Sequence, residues 1–218
     1  MVKRIIIICA HADDQILGAG GTMAKYASEG YEVRTLIMSK GEGSHPHLKP
    51  KVVTRMRFDE TRKAHEIIGC PHFDFYDLKE GAFEKDAVEQ GTHDRLAKLF
   101  DLVKPEKVFT HSHDDVQIPG NDHRAINHIV LKAWEMSESK PALYTFDVWN
   151  PWSFKSRIRP RIVVDVSTFF GKKMEALKAF KSQKIQMQIP LTGLVYARAI
   201  FHGFMNNMRY AEVFYRLR

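Results

Sequence analysis

The chain is 218 residues long, 44% hydrophobic and 27% charged, with a formal net charge of +7. This length fits one α/β domain with a sizeable core and requires no second one. The longest apolar run, Ile5 to Ala10, is far short of the roughly 20 residues that span a bilayer, and the first residues lack the regions of a signal peptide, so no membrane span and a cytoplasmic location are expected.

The excess positive charge would draw anionic partners. It is scattered, however, with short clusters at Arg157 to Arg161 and Lys172 to Lys173, and lacks the interleaved aromatic residues of single-strand binders. Nucleic acid is therefore not an expected partner. The two cysteines, Cys9 and Cys70, have neither disulfide-framework nor zinc-ribbon spacing and read as packing residues.

Arg4 to Gly21, RIIIICAHADDQILGAGG, sets the pattern for the rest. Strand-forming residues from Ile5 to Cys9 run into His11, Asp13 and Asp14, and a glycine-spaced apolar segment follows as a helix from Gln15 to Glu29, with Gly30 as its C-cap. Open α/β sheets bind ligands where strands release polar groups at their carboxyl ends. His11 and Asp14, three apart across the turn, suit convergence on one metal ion and leave Asp13 as a spare carboxylate beside it. Either aspartate alone would also suit a helix N-cap, but capping accounts for one carboxylate, not for two plus a histidine. A dinucleotide loop at Gly18, Gly20 and Gly21 is disfavoured, because that fingerprint needs its first glycine directly after the strand.

Tyr31 to Met38 reads as the second strand of a βαβ unit with a right-handed crossover. The polar loop Ser39 to Pro50 opens over the same edge as a candidate lid, and its His45 and His47 read as an exposed pair. Val52 to Ile68 reads as an amphipathic helix stopped by Gly69 and Pro71, on which Arg57 and Glu60 fit an ordinary surface ion pair. Phe73 to Leu78 reads as a short strand, Gly81 to Gly91 as irregular, Thr92 to Val103 as a helix and Lys107 to His111 as the fourth strand. That strand releases His111, His113, Asp114 and Asp115, then Asn121, Asp122 and His123 ahead of a helix from about Arg124 to Glu135. Two parallel strands thus deliver histidine and carboxylate clusters to one sheet edge. His11, Asp14 and one histidine between 111 and 128 would complete a three-ligand zinc site with its fourth position open.

Farther on, Ala142 to Trp149 and Arg161 to Val166 read as strands and Phe169 to Ser182 as a helix; clear periodicity is then lost until Tyr196 to Phe204 and Tyr210 to Tyr215. The aromatic-rich Trp149 to Phe154 stretch suits a substrate mouth or an interface, leaving a homo-oligomer open. Residues 1–218 are expected to form a single domain with a C-terminal extension from about residue 140.

Several landmarks run in order over nearly the whole length: AHADDQ at Ala10 to Gln15, GAGG at Gly18 to Gly21, KGEGS from Lys40, Arg57-x-x-Glu60, Asp122-His123-Arg124-Ala125, the Lys173 to Gln183 segment and Ala211-Glu212-x-Phe214. Together they resemble the LmbE-like, or PIG-L, family of zinc-dependent N-deacetylases. The resemblance implies a Rossmann-like three-layer α/β fold with a mainly parallel sheet and its ligand site at the carboxyl ends of the strands. It implies zinc, or another divalent ion, held by His11, Asp14 and His123, with Asp13 as general base, Asp122 orienting a catalytic histidine, and Arg57 contacting substrate polar groups. The activity implied is hydrolysis of an N-acetyl group from a small N-acetylglucosamine-type amino sugar or its conjugate.

Two positions depart from the family pattern. Gln15 stands in place of a glutamate, and Gly120 in place of a histidine that stabilises the oxyanion or protonates the leaving amine. Asp122 is left without the histidine it would orient. His113, or else His111, reaching in from the loop that runs to Gly120 would replace the missing group, and His113 is the catalytic candidate carried forward. Otherwise zinc and Asp13 run a slower reaction unaided, or the chain keeps the metal as a binding or regulatory protein without deacetylase activity. His128, five residues beyond His123, falls on the far side of the helix and is expected to be structural.

Overall fold

β1 (Arg4–Cys9) lies in the middle of a seven-stranded sheet, buried from Ile5 onward and paired on both sides. The structure, a computed structural model, describes residues 2–45, 47–115, 120–150, 160–183 and 189–218. After β1 come α1 (Asp14–Ser28), β2 (Glu32–Ile37), α2 (Pro50–Ile68), β3 (His72–Phe75), α3 (Phe83–Glu89), α4 (Thr92–Val103), β4 (Lys107–His111) and α5 (Asp122–Met136). Then follow β5 (Ala142–Phe146), β6 (Arg161–Asp165), α6 (Phe170–Leu177), a 3₁₀ turn (Lys181–Gln183), α7 (Ile189–Phe204) and β7 (Ala211–Arg216). The strand order is β3-β2-β1-β4-β5-β7-β6; the first five are parallel, and β7 is antiparallel to both β5 and β6.

The unbroken isoleucine run follows from this position. Ile5, Ile7 and Cys9 face a core shared with α1, α2, α6 and α7, whereas Ile6, Ile8 and Ala10 face a core shared with α3, α4 and α5. A strand covered on both faces has no polar side to alternate with, and each buried isoleucine contributes roughly 1.5–3 kcal/mol. β1 pairs with β2 on one side and β4 on the other. The crevice outside the carboxyl ends of β1 and β4 is therefore the topological switch point, where such sheets take ligands. No described helix is long and apolar enough to cross a membrane, and both cysteines are buried.

The GAGG run of α1 serves close packing. A β-carbon at Gly18 would stand 2.3 Å from the Phe146 ring of β5, and one at Gly21 2.8 Å from Val166. The Glu212 carboxylate accepts the Gly21 and Thr22 amides at 3.1 and 2.8 Å. Lys173 pairs with the same carboxylate at 2.6 Å and donates to the Leu17 carbonyl at 2.8 Å. Bare backbone lets the C-terminal third of the chain clamp the helix that carries Asp14.

Some sequence expectations need correction. Residues 81–91 are not irregular: Gly81 turns with φ +79°, and α3 then buries Phe83 and Ala87, one turn apart, against α5. Its exposed face is charged enough to hide so short a helix. The strand expected through Trp149 stops at Phe146, because the next amides are taken by a buried carboxylate described below. The helix expected through Ser182 ends at Leu177, and Glu60 holds Ser182 by its amide and hydroxyl, both at 2.7 Å. Arg57 is not on the surface: it is 2% exposed. Of the aromatic stretch 149–154 and the basic cluster 157–161, residues 151–159 lie outside the described residues.

Candidate metal centre

The turn after β1 is closed by Asp14. Its Oδ2 accepts the His11 amide at 2.8 Å and lies 3.2 Å from His11 Nδ1. The same oxygen lies 3.3 Å from Nε2 of both His111 and His123. His11, Asp14 and His123 each place a ligand atom within 4.8 Å of the others. Asp14 Oδ1 and His123 Nε2 are buried with no hydrogen-bond partner among the described residues. Such orphaned groups cost about 1–3 kcal/mol each. A cation bound by both removes that cost, and two imidazoles with a carboxylate form a donor set suited to catalytic zinc. These three residues fit a divalent metal.

His111, Asp115 and His123 form a second close group, but Asp115 is already fully engaged. It accepts the amides of Val148, Trp149 and Asn150 at 2.9, 2.7 and 3.0 Å, and its Oδ2 lies 2.8 Å from His123 Nδ1 and 3.4 Å from His111 Nδ1. His111 Nε2 accepts the Ala10 amide at 3.1 Å, which places its proton on Nδ1 and leaves no lone pair for a metal. This group is a support. By accepting the Nδ1 hydrogen bond of His123, Asp115 aims Nε2 at Asp14. His111 stacks on His123 at 3.8 Å and ties that ring to the β1 exit.

The electrostatics follow from the same contacts. Burial lowers the proton affinity of His123, but the Asp14 charge and the Asp115 hydrogen bond outweigh it and push the pKa up to about 9. Burial likewise opposes protonation of His11, yet hydrogen bonds to Asp122 and Asp14 hold its pKa well above the ordinary range. Asp14 is held well below the usual carboxylate range, against its burial, first by the charge of a protonated His123 and then by its hydrogen bond with His11. A metal ion and a proton compete for the same imidazole lone pairs.

The other candidates separate into those at the centre and those outside it. Asp13 is 3% exposed, stands outside the ligand group, and has Oδ1 3.3 Å from Arg57 Nη2. Arg57 also lies 3.7 Å from Glu60, its side chain sits 3.2 Å from the position of a β-carbon at Gly41, and its guanidinium is 5.5 Å from the Phe180 ring. Asp122, in the first turn of α5, accepts the Gly81 amide at 2.9 Å and contacts His11 Nε2 at 3.3 Å. It has a histidine partner after all, from the β1 turn. His113 is not brought in: its side chain is 44% exposed, paired with Asp114 at 3.4 Å and 5.3 Å from the His128 ring. It follows the buried Ser112 on a turn that faces solvent. His128 pairs with Glu84 at 2.9 Å, away from the ligands. Gly120 has φ +128°, a conformation a histidine would adopt only under strain.

Sequence reasoning missed Asp115 as the group that orients His123. It stood in view within the cluster released by β4, but only the path of residues 148–150 around it reveals that it faces inward.

Fold and centre together define a mostly parallel α/β protein with a metal-fitting site at its topological switch point. The family model described as PIG-L, GlcNAc-PI de-N-acetylase, matches residues 6–134, more than half of the sequence, and the chain belongs to that family. It is similar to the 4-oxalmesaconate hydratase of Pseudomonas putida, at 27% identity over 201 residues, covering 84% of this chain and 74% of that protein. It is also similar to the probable N-acetyl-alpha-D-glucosaminyl L-malate deacetylase 2 of Bacillus cereus, at 23% identity over 194 residues and 84% of each chain. Among solved structures, the N,N'-diacetylchitobiose deacetylase of Pyrococcus horikoshii superposes with a TM-score of 0.81 at 18% identity, covering 99% of this chain and 84% of that one. That superposition shows a common fold.

Proposed function

We propose that the chain, acting as one domain over residues 1–218, is a cytoplasmic metal-dependent hydrolase that removes an N-acetyl group from an N-acetylglucosamine-type sugar or a conjugate of it. The observation that carries the reading is the pair of orphaned buried ligand atoms, Asp14 Oδ1 and His123 Nε2, with the Asp13 carboxylate outside the ligand group and paired to Arg57. Zinc or another divalent ion held by His11, Asp14 and His123 would supply Lewis-acid polarisation of the amide carbonyl and make water a better nucleophile at neutral pH. Asp13 takes the proton of the attacking water, with Arg57 holding its carboxylate in place. Asp122 fixes the His11 ring, and Asp115 fixes that of His123. Arg57 is buried beside Asp13, so positioning the base is its first role and substrate contact its second.

Gly120 supports a second reading. Without an imidazole at that place, protonation of a leaving amine is harder, whereas addition of water across a double bond has no amine to release. The hydratase relative has that activity by name.

Three variants test the proposal. Asp13→Ala is expected to keep its zinc and lose acetate release, whereas His11→Ala and His123→Ala lose the zinc itself. An Asp13→Ala protein with full turnover would remove Asp13 from the role of base.

A further inference from the structure

Gln15, one of the two departures from the family pattern, lies at the centre of a buried polar chain that reaches 50 residues along the sequence. The side chain is fully buried. Its Nε2 donates to the Ala12 carbonyl at 2.7 Å and lies 3.3 Å from His65 Nε2, while Oε1 accepts the Cys9 thiol at 3.3 Å. The Cys9 thiol also lies 3.2 Å from the His11 carbonyl. The Ala12 carbonyl of the metal-bearing turn is thus held by this network, and the His11 carbonyl lies beside its Cys9 thiol.

The hydrogen bonds determine one another. His65, on α2 and fully buried, has Nδ1 2.6 Å from the Cys70 carbonyl. A carbonyl only accepts, so Nδ1 carries the proton. Burial keeps the ring neutral, with its pKa down to about 4. Nε2 is then a bare acceptor and must face a donor, which is the Gln15 amide nitrogen. That same nitrogen is what the Ala12 carbonyl needs. A carboxylate at position 15 would set oxygen against the Ala12 carbonyl and against the bare Nε2 of His65, and would be accommodated only by protonating one partner or the other.

We propose that Gln15 and His65 are a matched neutral pair that positions the metal-bearing turn, His65 acting on it through Gln15 alone. The positioning role rests on His11, Asp14 and His123 being the metal ligands; the tautomer does not. Long-range ¹⁵N–¹H correlation spectra of the wild-type chain at pH 7 are expected to show His65 neutral with its proton on Nδ1. A proton on Nε2, or a doubly protonated ring, would overturn the pair. Gln15→Met and Gln15→Glu, titrated with zinc alone against a chromophoric chelator, are expected to bind 10- to 100-fold more weakly, the range typical for residues that orient metal ligands. Gln15→Glu should in addition show a doubly protonated His65. Variants that bind zinc as tightly as wild type would refute the positioning role. Zinc that fails to bind the wild-type chain would contradict the metal site and the positioning role with it, whereas a wrong tautomer contradicts the pair alone.

Discussion

Asp115 is where a single change of charge should do most to separate scaffold from chemistry. Asp115→Asn keeps the size of the side chain but turns one carboxylate oxygen into a donor, facing an environment made of donors: three amides at 2.7–3.0 Å and His123 Nδ1 at 2.8 Å. The wild-type carboxylate is held well below its usual pKa, against its burial, by hydrogen bonds from His111 and His123. Removing one partner of a buried charged network costs roughly 3–5 kcal/mol, a large share of the 5–15 kcal/mol typical of a domain. His123 would also lose the acceptor that fixes its tautomer, which weakens metal binding by about 10- to 100-fold. Urea denaturation in the presence of chelator reads the first effect, and competition for zinc reads the second. An unchanged denaturation midpoint together with zinc affinity within about twofold of wild type would refute the view of Asp115 as the support of the centre.

Stability should depend on His65 in a defined pH window. Its pKa is about 4 in the folded chain against an ordinary 6.5. The unfolded chain binds the proton more tightly, so the contribution is present above pH 6.5 and is lost as pH falls through 4. The difference corresponds to roughly 3 kcal/mol. Denaturation midpoints of wild type and His65→Asn at pH 7.5 and 4.5 are expected to differ in slope, and parallel slopes would count against a buried neutral His65. Gly18→Ala should destabilise by roughly 1–3 kcal/mol through the clash with Phe146. Gly171→Ala, whose β-carbon meets nothing within 4 Å, should be neutral or slightly stabilising by thermal melt, and equal effects would deny that the glycine run serves packing.

Local patterns were the legible part of the sequence. The isoleucine run of β1 and the three-residue spacing of His11 and Asp14 depend on neighbours along the chain; the first read as a buried strand, which it is, and the second as a turn that brings the two side chains together, which lie 3.2 Å apart. Arg57 was harder to place, because what buries it comes from distant segments: Asp13, Gly41 and Phe180. On a helix with alternating charges, nothing local distinguishes such an arginine from a surface partner of Glu60. His111 and His113 differ by two residues, yet one is fully buried behind the ligands while the other faces solvent. The path of the chain after β4 decides that difference, and residue type carries no trace of it. The helix α7 begins at Ile189 without a readable period, since apolar residues occur on several sides of it and Tyr196, Ile200 and Phe204 remain exposed.

The most direct test of the whole account is acetate release from N-acetylglucosamine and a panel of its conjugates, using protein of known metal content, with and without chelator. Release that requires the metal, disappears with chelator and returns on adding zinc is the expected result. Full metal occupancy with no acetate released from any member of the panel would contradict the deacetylase reading and transfer its weight to addition of water.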